Sequence, residues 1–213
     1  QRRAHDDGIV AVADGADQQE AHARPVEHAF DEDRAADRDP DGVMAVVTAD
    51  HIIRPVDDFR AALQHGFDLA NTDPTALVTF GVVPTEPNTG FGYLHRGGRL
   101  RPGSRAHQVL EFVEKPSAEV ARQYLDSGEY WWNSGMFVWR AATLLDCLSQ
   151  LKPQTRHHVD ELVADPSRLA EVYPCMEKVS VDIAVMEPAS HGGCGVHVAA
   201  IPLEIQWYDV GSY

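Results

Sequence analysis

From residue 43 onward, short apolar runs alternate with amphipathic stretches, and turn residues separate them. Val43–Thr48 is a compact, largely β-branched run, as expected of a strand buried on both faces. Asp57 and Asp58 are placed to cap a helix whose apolar positions Phe59, Ala62, Leu63, Phe67 and Ala70 share one face, and Asn71-Thr72-Asp73-Pro74 ends it. Residues 77–83 form a second β-rich run and residues 109–113 a third, which closes at Glu114-Lys115-Pro116. Ser117 then caps a helix running to about Leu125, stopped by Ser127-Gly128. A further strand is expected around Gly135-Met136-Phe137-Val138. Residues 143–151 and 155–163 read as helices, the first with Leu144, Leu145, Leu148 and Leu151 as its inward stripe. Ser180 caps a short helix to Met186, and residues 196–200 and 206–210 are the last strands. Strands separated by helices predict an α/β fold with a mostly parallel sheet and helices on both faces.

Composition changes this picture at one end. Residues 1–42 hold five Arg, no Lys, nine Asp, three Glu and no Leu, a net charge of −7 within the −15 of the whole chain. So little apolar surface cannot offset the entropy of ordering. Residues 1–38 are therefore expected to be irregular, with the ordinary domain running from 39 to 213. The chain of 213 residues is 44% hydrophobic and 24% charged, enough to bury one substantial core. Its acidity argues against nucleic-acid binding, because phosphate backbones need basic surfaces. Three cysteines, Cys147, Cys175 and Cys194, follow no metal-binding spacing and suit reduced thiols in the cytoplasm. No apolar stretch approaches the roughly 18 residues of a membrane span, and the first residues carry no signal-peptide core.

The candidate chemistry lies at the ends of the predicted strands. Asp50 directly follows the first apolar run, and Asp209 stands far along the chain in Trp207-Tyr208-Asp209-Val210-Gly211-Ser212. In an open α/β sheet, ligands sit beyond the carboxyl ends of strands. Two carboxylates meeting there hold a hard divalent cation against phosphate oxygens, whereas a lone Asp at either place serves equally well as a turn cap. Gly90-Phe91-Gly92-Tyr93 offers close backbone approach to a polar ligand, or a plain surface turn. Glu114 accepts from sugar hydroxyls and Lys115 meets a phosphate, or the two form a solvated ion pair. Asn133-Ser134-Gly135 supplies an amide that donates and accepts, or a turn between aromatic clusters. His157-His158 lacks the spacing of a metal pair and reads as a solvated face; Trp131, Trp132 and Trp139 read as packing residues.

Taken in order, these segments resemble the bacterial mannose-1-phosphate guanylyltransferases of the sugar-phosphate nucleotidyltransferase superfamily. The matching segments are Thr48-Ala49-Asp50-His51, Val78-Thr79-Phe80-Gly81-Val82-Val83-Pro84-Thr85, Thr89-Gly90-Phe91-Gly92-Tyr93 and Phe112-Val113-Glu114-Lys115-Pro116. They continue with Trp132-Asn133-Ser134-Gly135-Met136-Phe137, Ser180-Val181-Asp182-Ile183-Ala184-Val185-Met186-Glu187 and the segment around Asp209. The resemblance implies a Rossmann-like, GT-A-like nucleotidyltransferase fold. It implies transfer of GMP from GTP to mannose 1-phosphate, giving GDP-mannose and pyrophosphate.

Under that resemblance Asp50 and Asp209 hold Mg2+, and Asp50, Lys115 and Asp209 form the catalytic set. Gly90, Gly92, Tyr93, Glu114, Asn133 and Gly135 bind substrate, and Asp182 has a supporting role only. The partners implied are GTP and mannose 1-phosphate, with no nucleic acid and no membrane; a homo-oligomer stays open. Nothing in residues 1–42 matches the family's glycine-rich phosphate loop, and the sequence stops ahead of the family's C-terminal region. The domain is thus expected to be incomplete at both ends and its turnover weak or lost. Two alternatives remain: a non-catalytic relative or gene fragment that keeps sugar-phosphate binding, and a uridylyl- or thymidylyltransferase acting on glucose 1-phosphate.

Overall fold

The computed structural model describes the backbone of residues 11–14, and residues 39 and 41–210 in full. The strands are β1 (Ala11–Asp14), β2 (Val43–Thr48), β3 (His51–Arg54), β4 (Ala76–Val82), β5 (Tyr93–Arg99), β6 (His107–Val113), β7 (Tyr130–Arg140), β8 (His197–Leu203) and β9 (Gln206–Asp209). The longer helices are α1 (Val56–Thr72), α2 (Ala118–Ser127), α3 (Ala141–Leu151) and α4 (Pro153–Ala164). A π-helical turn, Asp182–Met186, runs into a short helix, Glu187–Ser190.

Seven strands form one sheet in the order β1-β2-β7-β4-β8-β6-β5, and β3 pairs with β9 in a separate two-stranded ladder. The α/β class and the helices on both faces are as expected, but the mostly parallel sheet is not. Only β1–β2 and β4–β8 run parallel among the described strands; β7 runs antiparallel to β2, β4 and β5, and β6 runs antiparallel to β5 and β8. The reason is β7 itself. This 11-residue strand inserts between β2 and β4, and its first residues also pair with β5, which closes β7, β4, β8, β6 and β5 into a ring. Buried strands read as apolar runs whichever way they point, so direction was not legible from the runs.

Side-chain alternation across the sheet builds two cores. On one face Leu77, Phe137 and Trp139 pack with Leu144 and Leu148 of α3 and Val159 and Leu162 of α4. On the other, Val78, Phe80 and Val138 pack with Ala62, Phe67 and Ala70 of α1. Asp57 and Asp58 do not cap α1: its N-cap is Pro55, without a side-chain hydrogen bond, and both acids lie in the first turn. There they face the positive end of the helix dipole. For α2, the Ser117 hydroxyl accepts from the Val120 amide, and Gly128 ends the helix at φ 66°. That left-handed angle is one glycine adopts without strain.

Residues 1–10 and 15–38, most of the stretch expected to be irregular, lie outside the described residues, as does Gly211. Within that stretch Ala11–Asp14 is a strand, in register with 45–48 of β2. No helix among the described residues is long and apolar enough to cross a membrane.

Candidate active site

Two strand irregularities shape the site. Between Thr79/Phe137 and Gly81/Asn133 the β4–β7 register shifts, leaving extra residues on β7 at Ser134-Gly135-Met136. The bulge turns on Gly135, at φ 69°, and begins immediately after Asn133, which still pairs with Gly81. The second lies at the end of β6, where Lys115 has φ 46°. A non-glycine residue in this left-handed region, immediately before a proline, costs about 1–3 kcal/mol and is characteristic of functional sites.

Asn133 is fixed from three sides. Its backbone amide donates to the Gly92 carbonyl (2.8 Å), its Oδ1 accepts from the Thr79 hydroxyl (2.7 Å), and its Nδ2 donates to Asp182 Oδ1 (3.0 Å). One Nδ2 proton stays available for a ligand. Glu114 is held close to Gly92: a Cβ on Gly92 would lie 2.6 Å from Glu114 Oε2, so only glycine leaves room for that carboxylate. Lys115 Nζ stands 3.7 Å from Glu114 Oε1.

The acids meet through the β3–β9 ladder. His51 is paired with Asp209, and the Val210 amide donates to the Asp50 carbonyl (2.9 Å), which brings the two carboxylate-bearing residues to one end of the ladder. The Trp207 indole N–H donates to His51 Nδ1 (3.1 Å), and the Thr48 hydroxyl lies against the same nitrogen. Burial lowers the His51 pKa, against the opposing pull of Asp50 and Asp209. Phe91 packs edge-on to both Trp132 and Trp207, tying the glycine loop to the ladder.

Most of these residues line one cavity of ≈ 210 Å³. From the expected set it includes Asp50, Gly90, Gly92, Glu114, Lys115, Asn133, Gly135 and Asp209, and it adds Thr48, His51, Phe91, Ser134, Asp182 and Trp207. Tyr93 is the exception. It is fully buried, its hydroxyl donates to the Asn88 carbonyl (2.9 Å), and its ring packs on Tyr124, so the structure places it in the core rather than against a ligand. A larger depression of ≈ 720 Å³ beside Arg54, Pro55 and Glu204 gathers none of the expected residues.

The electrostatics of the cavity are dominated by carboxylates taken out of water. Burial, then Asp182, then Glu187 push Glu114 up to about 8, with Lys115 acting against them. Burial also raises Asp182, opposed by its own backbone amide, Lys115 and the Asn133 amide. The sign for stability follows from proton binding. Below the ordinary value of 4.5 Glu114 is protonated in folded and unfolded chains alike, and between there and about 8 the unfolded chain ionises first. Folding therefore loses stability as pH rises through that window. Glu114→Gln is expected to gain on the order of 2 kcal/mol over wild type between about pH 5 and about pH 8, read from urea midpoints at each pH. Parallel midpoints for the two proteins would show that the Glu114 carboxylate is well solvated instead.

Two acids and a cluster of polar side chains beyond the strand ends of a mixed α/β sheet suit phosphate and hydroxyl chemistry. Residues 16–213 match the nucleotidyl transferase family, and the chain belongs to it. It is 38% identical over 183 residues to the mannose-1-phosphate guanylyltransferase of Escherichia coli K12, an alignment covering 81% of this chain and 36% of that protein. A crystal structure from Thermus thermophilus, described as a mannose-1-phosphate geranyltransferase, superposes with a TM-score of 0.76 at 28% identity, covering 94% of this chain and 61% of that one. A Helicobacter pylori structure described as a mannose-6-phosphate isomerase shares the fold, with a TM-score of 0.73 at 24% identity over 93% of this chain and 73% of that one. The chain thus spans about a third of the length of the curated relatives it matches.

His51, Phe91, Trp207 and Glu187 were not among the expected site residues. All four sit within matched segments, a signal that could have found them. Glu187 closes the matched segment that begins at Ser180, but its hydrogen bond to the Glu114 amide depends on a contact distant in sequence.

Proposed function

We propose that the cavity binds mannose 1-phosphate together with a divalent cation, for transfer of GMP from GTP to the sugar phosphate. The observation that carries this reading is the convergence of Asp50 and Asp209 with Glu114, Lys115 and Asn133 in one cavity. At ≈ 210 Å³ the space is smaller than the roughly 300–1,000 Å³ of pockets for drug-sized ligands, which suits a single hexose phosphate. Glu114 accepts from sugar hydroxyls, the spare proton of Asn133 Nδ2 donates to another, and Lys115 meets the phosphate. The names of the relatives favour mannose over glucose.

The donor set fits Mg2+. Asp50 and Asp209 are hard oxygen ligands, and no group of three or more His, Cys, Asp or Glu suited to a metal occurs among the described residues. Mg2+ is held in this way elsewhere, by one or two carboxylates with water and substrate phosphates completing the shell. When bound, the cation neutralises charge developing on the phosphates. The chain's own residues orient the sugar phosphate so that one of its oxygens attacks the α-phosphorus of GTP in line. A P–O bond forms there as the bond to pyrophosphate breaks, so no covalent nucleophile from the protein is needed. The same reading places the reaction in the cytoplasm, where Cys147, Cys175 and Cys194 stay reduced.

Isothermal titration with mannose 1-phosphate and MgCl2 tests the assignment. Asn133→Ala is expected to weaken binding about tenfold, the worth of one or two buried hydrogen bonds. Equal heats and affinities for variant and wild type would remove Asn133 from the site.

A further inference from the structure

The sugar-phosphate end of strand β6 is held by side chains rather than by another strand. On one edge β6 pairs with β5 as far as Val113. On the other it meets β8 only at His107 and Gln108, and then diverges. The amides of Phe112 and Glu114, two residues apart and so on the same edge, would be left without a ladder. The short helix Glu187–Ser190 supplies the missing acceptors. Ser190 Oγ accepts from the Phe112 amide (3.0 Å), and Glu187 Oε1 accepts from the Glu114 amide (2.9 Å). Residues three apart on a helix stand about 5–6 Å apart, close to the rise of two strand residues, so the two spacings match. Ser190 also donates to the Glu187 carbonyl (2.7 Å), which fixes its hydroxyl as an acceptor toward Phe112.

We propose that Glu187 is a positioning residue for sugar-phosphate binding, holding the Glu114 amide so that the left-handed turn at Lys115 presents both side chains to the cavity. This rests on the sugar-phosphate reading of that cavity. Glu187 does not line the cavity, so it acts through its neighbours alone. Its hydrogen bond lies one residue before the strained angle at Lys115, where loss of an anchor lets the chain relax into ordinary extended backbone. Ser190 anchors the strand two residues earlier, where the backbone is regular, and serves as the internal control.

The test separates reach from charge. Glu187→Asp keeps the charge and shortens the reach by one methylene; Glu187→Gln keeps the reach and an acceptor oxygen while removing the charge. Titration calorimetry with mannose 1-phosphate and MgCl2 is expected to show affinity about tenfold weaker in Glu187→Asp and within about threefold of wild type in Glu187→Gln. Ser190→Ala is expected to lower the thermal midpoint and leave the affinity unchanged. Unchanged affinity in Glu187→Asp overturns the proposal, as does a Glu187→Gln loss equal to that of Glu187→Asp, which would assign the effect to charge. No binding by the wild-type chain would overturn the sugar-phosphate reading itself, an outcome visible before any variant is compared.

Discussion

Alanine at position 92 is expected to weaken mannose 1-phosphate binding by at least about 30-fold while leaving the fold almost as stable as before. The added Cβ would lie 2.6 Å from Glu114 Oε2 and 3.4 Å from Asn133 Cβ and Phe112 Cε1. The closest of these atoms is the far end of a flexible side chain, so Glu114 swings aside at little cost to folding. The position it leaves is the one from which, under the proposed function, it accepts sugar hydroxyls. Losing its hydrogen bonds to two sugar hydroxyls, at about 1 kcal/mol each, is worth about 2 kcal/mol, the equivalent of that 30-fold. Gly81 offers a contrast, because a Cβ there would meet the Trp131 ring at 2.7 Å in the packed core. Gly81→Ala therefore has to strain the fold, and Gly92→Ala does not. Calorimetry together with a urea midpoint for Gly92→Ala checks both halves. Wild-type affinity in the variant would mean that Glu114 takes no part in binding.

The second large effect belongs to Asp209. Asparagine there keeps the shape of the side chain and removes one of the two carboxylates proposed to hold the cation. Mn2+ binding, followed by loss of the free-ion resonance in electron paramagnetic spectra, is expected to weaken by about two orders of magnitude, as when a principal electrostatic contact is removed. The sign without metal is opposite. Asp50 and Asp209 both repel a phosphate, so metal-free Asp209→Asn should bind mannose 1-phosphate at least as well as wild type. A variant with weakened metal-free binding, or one that keeps full Mn2+ affinity, would take Asp209 out of the metal site.

Much of the site was legible because each functional group ends a recognisable segment. Asp50 closes an apolar run, Glu114-Lys115-Pro116 closes another, and Asn133-Ser134-Gly135 interrupts a third. The strands β2, β4 and β6 and the cap of α2 at Ser117 followed from local patterns alone. What escaped was set by contacts distant in sequence. The antiparallel insertion of β7 depends on which strands it meets, and nothing in residues 130–140 records that. The β3–β9 ladder has four residues on each side and no long alternation, yet it brings Asp50 and Asp209 together. Tyr93 shared a motif with Gly92 but sits one strand position along, and alternation sends its ring to the opposite face. Glu187 holds a strand by a side-chain bond across 73 positions of sequence, beyond the reach of any periodicity.

Crystals grown with mannose 1-phosphate and MnCl2, measured at the manganese absorption edge, test the central claim most directly. The account predicts one strong anomalous peak in the cavity, ligated by both Asp50 and Asp209 and by an oxygen of the sugar phosphate, with the sugar ring against Glu114 and Asn133. Manganese bound by only one of the two acids, or sugar phosphate lodged elsewhere on the molecule, would contradict it.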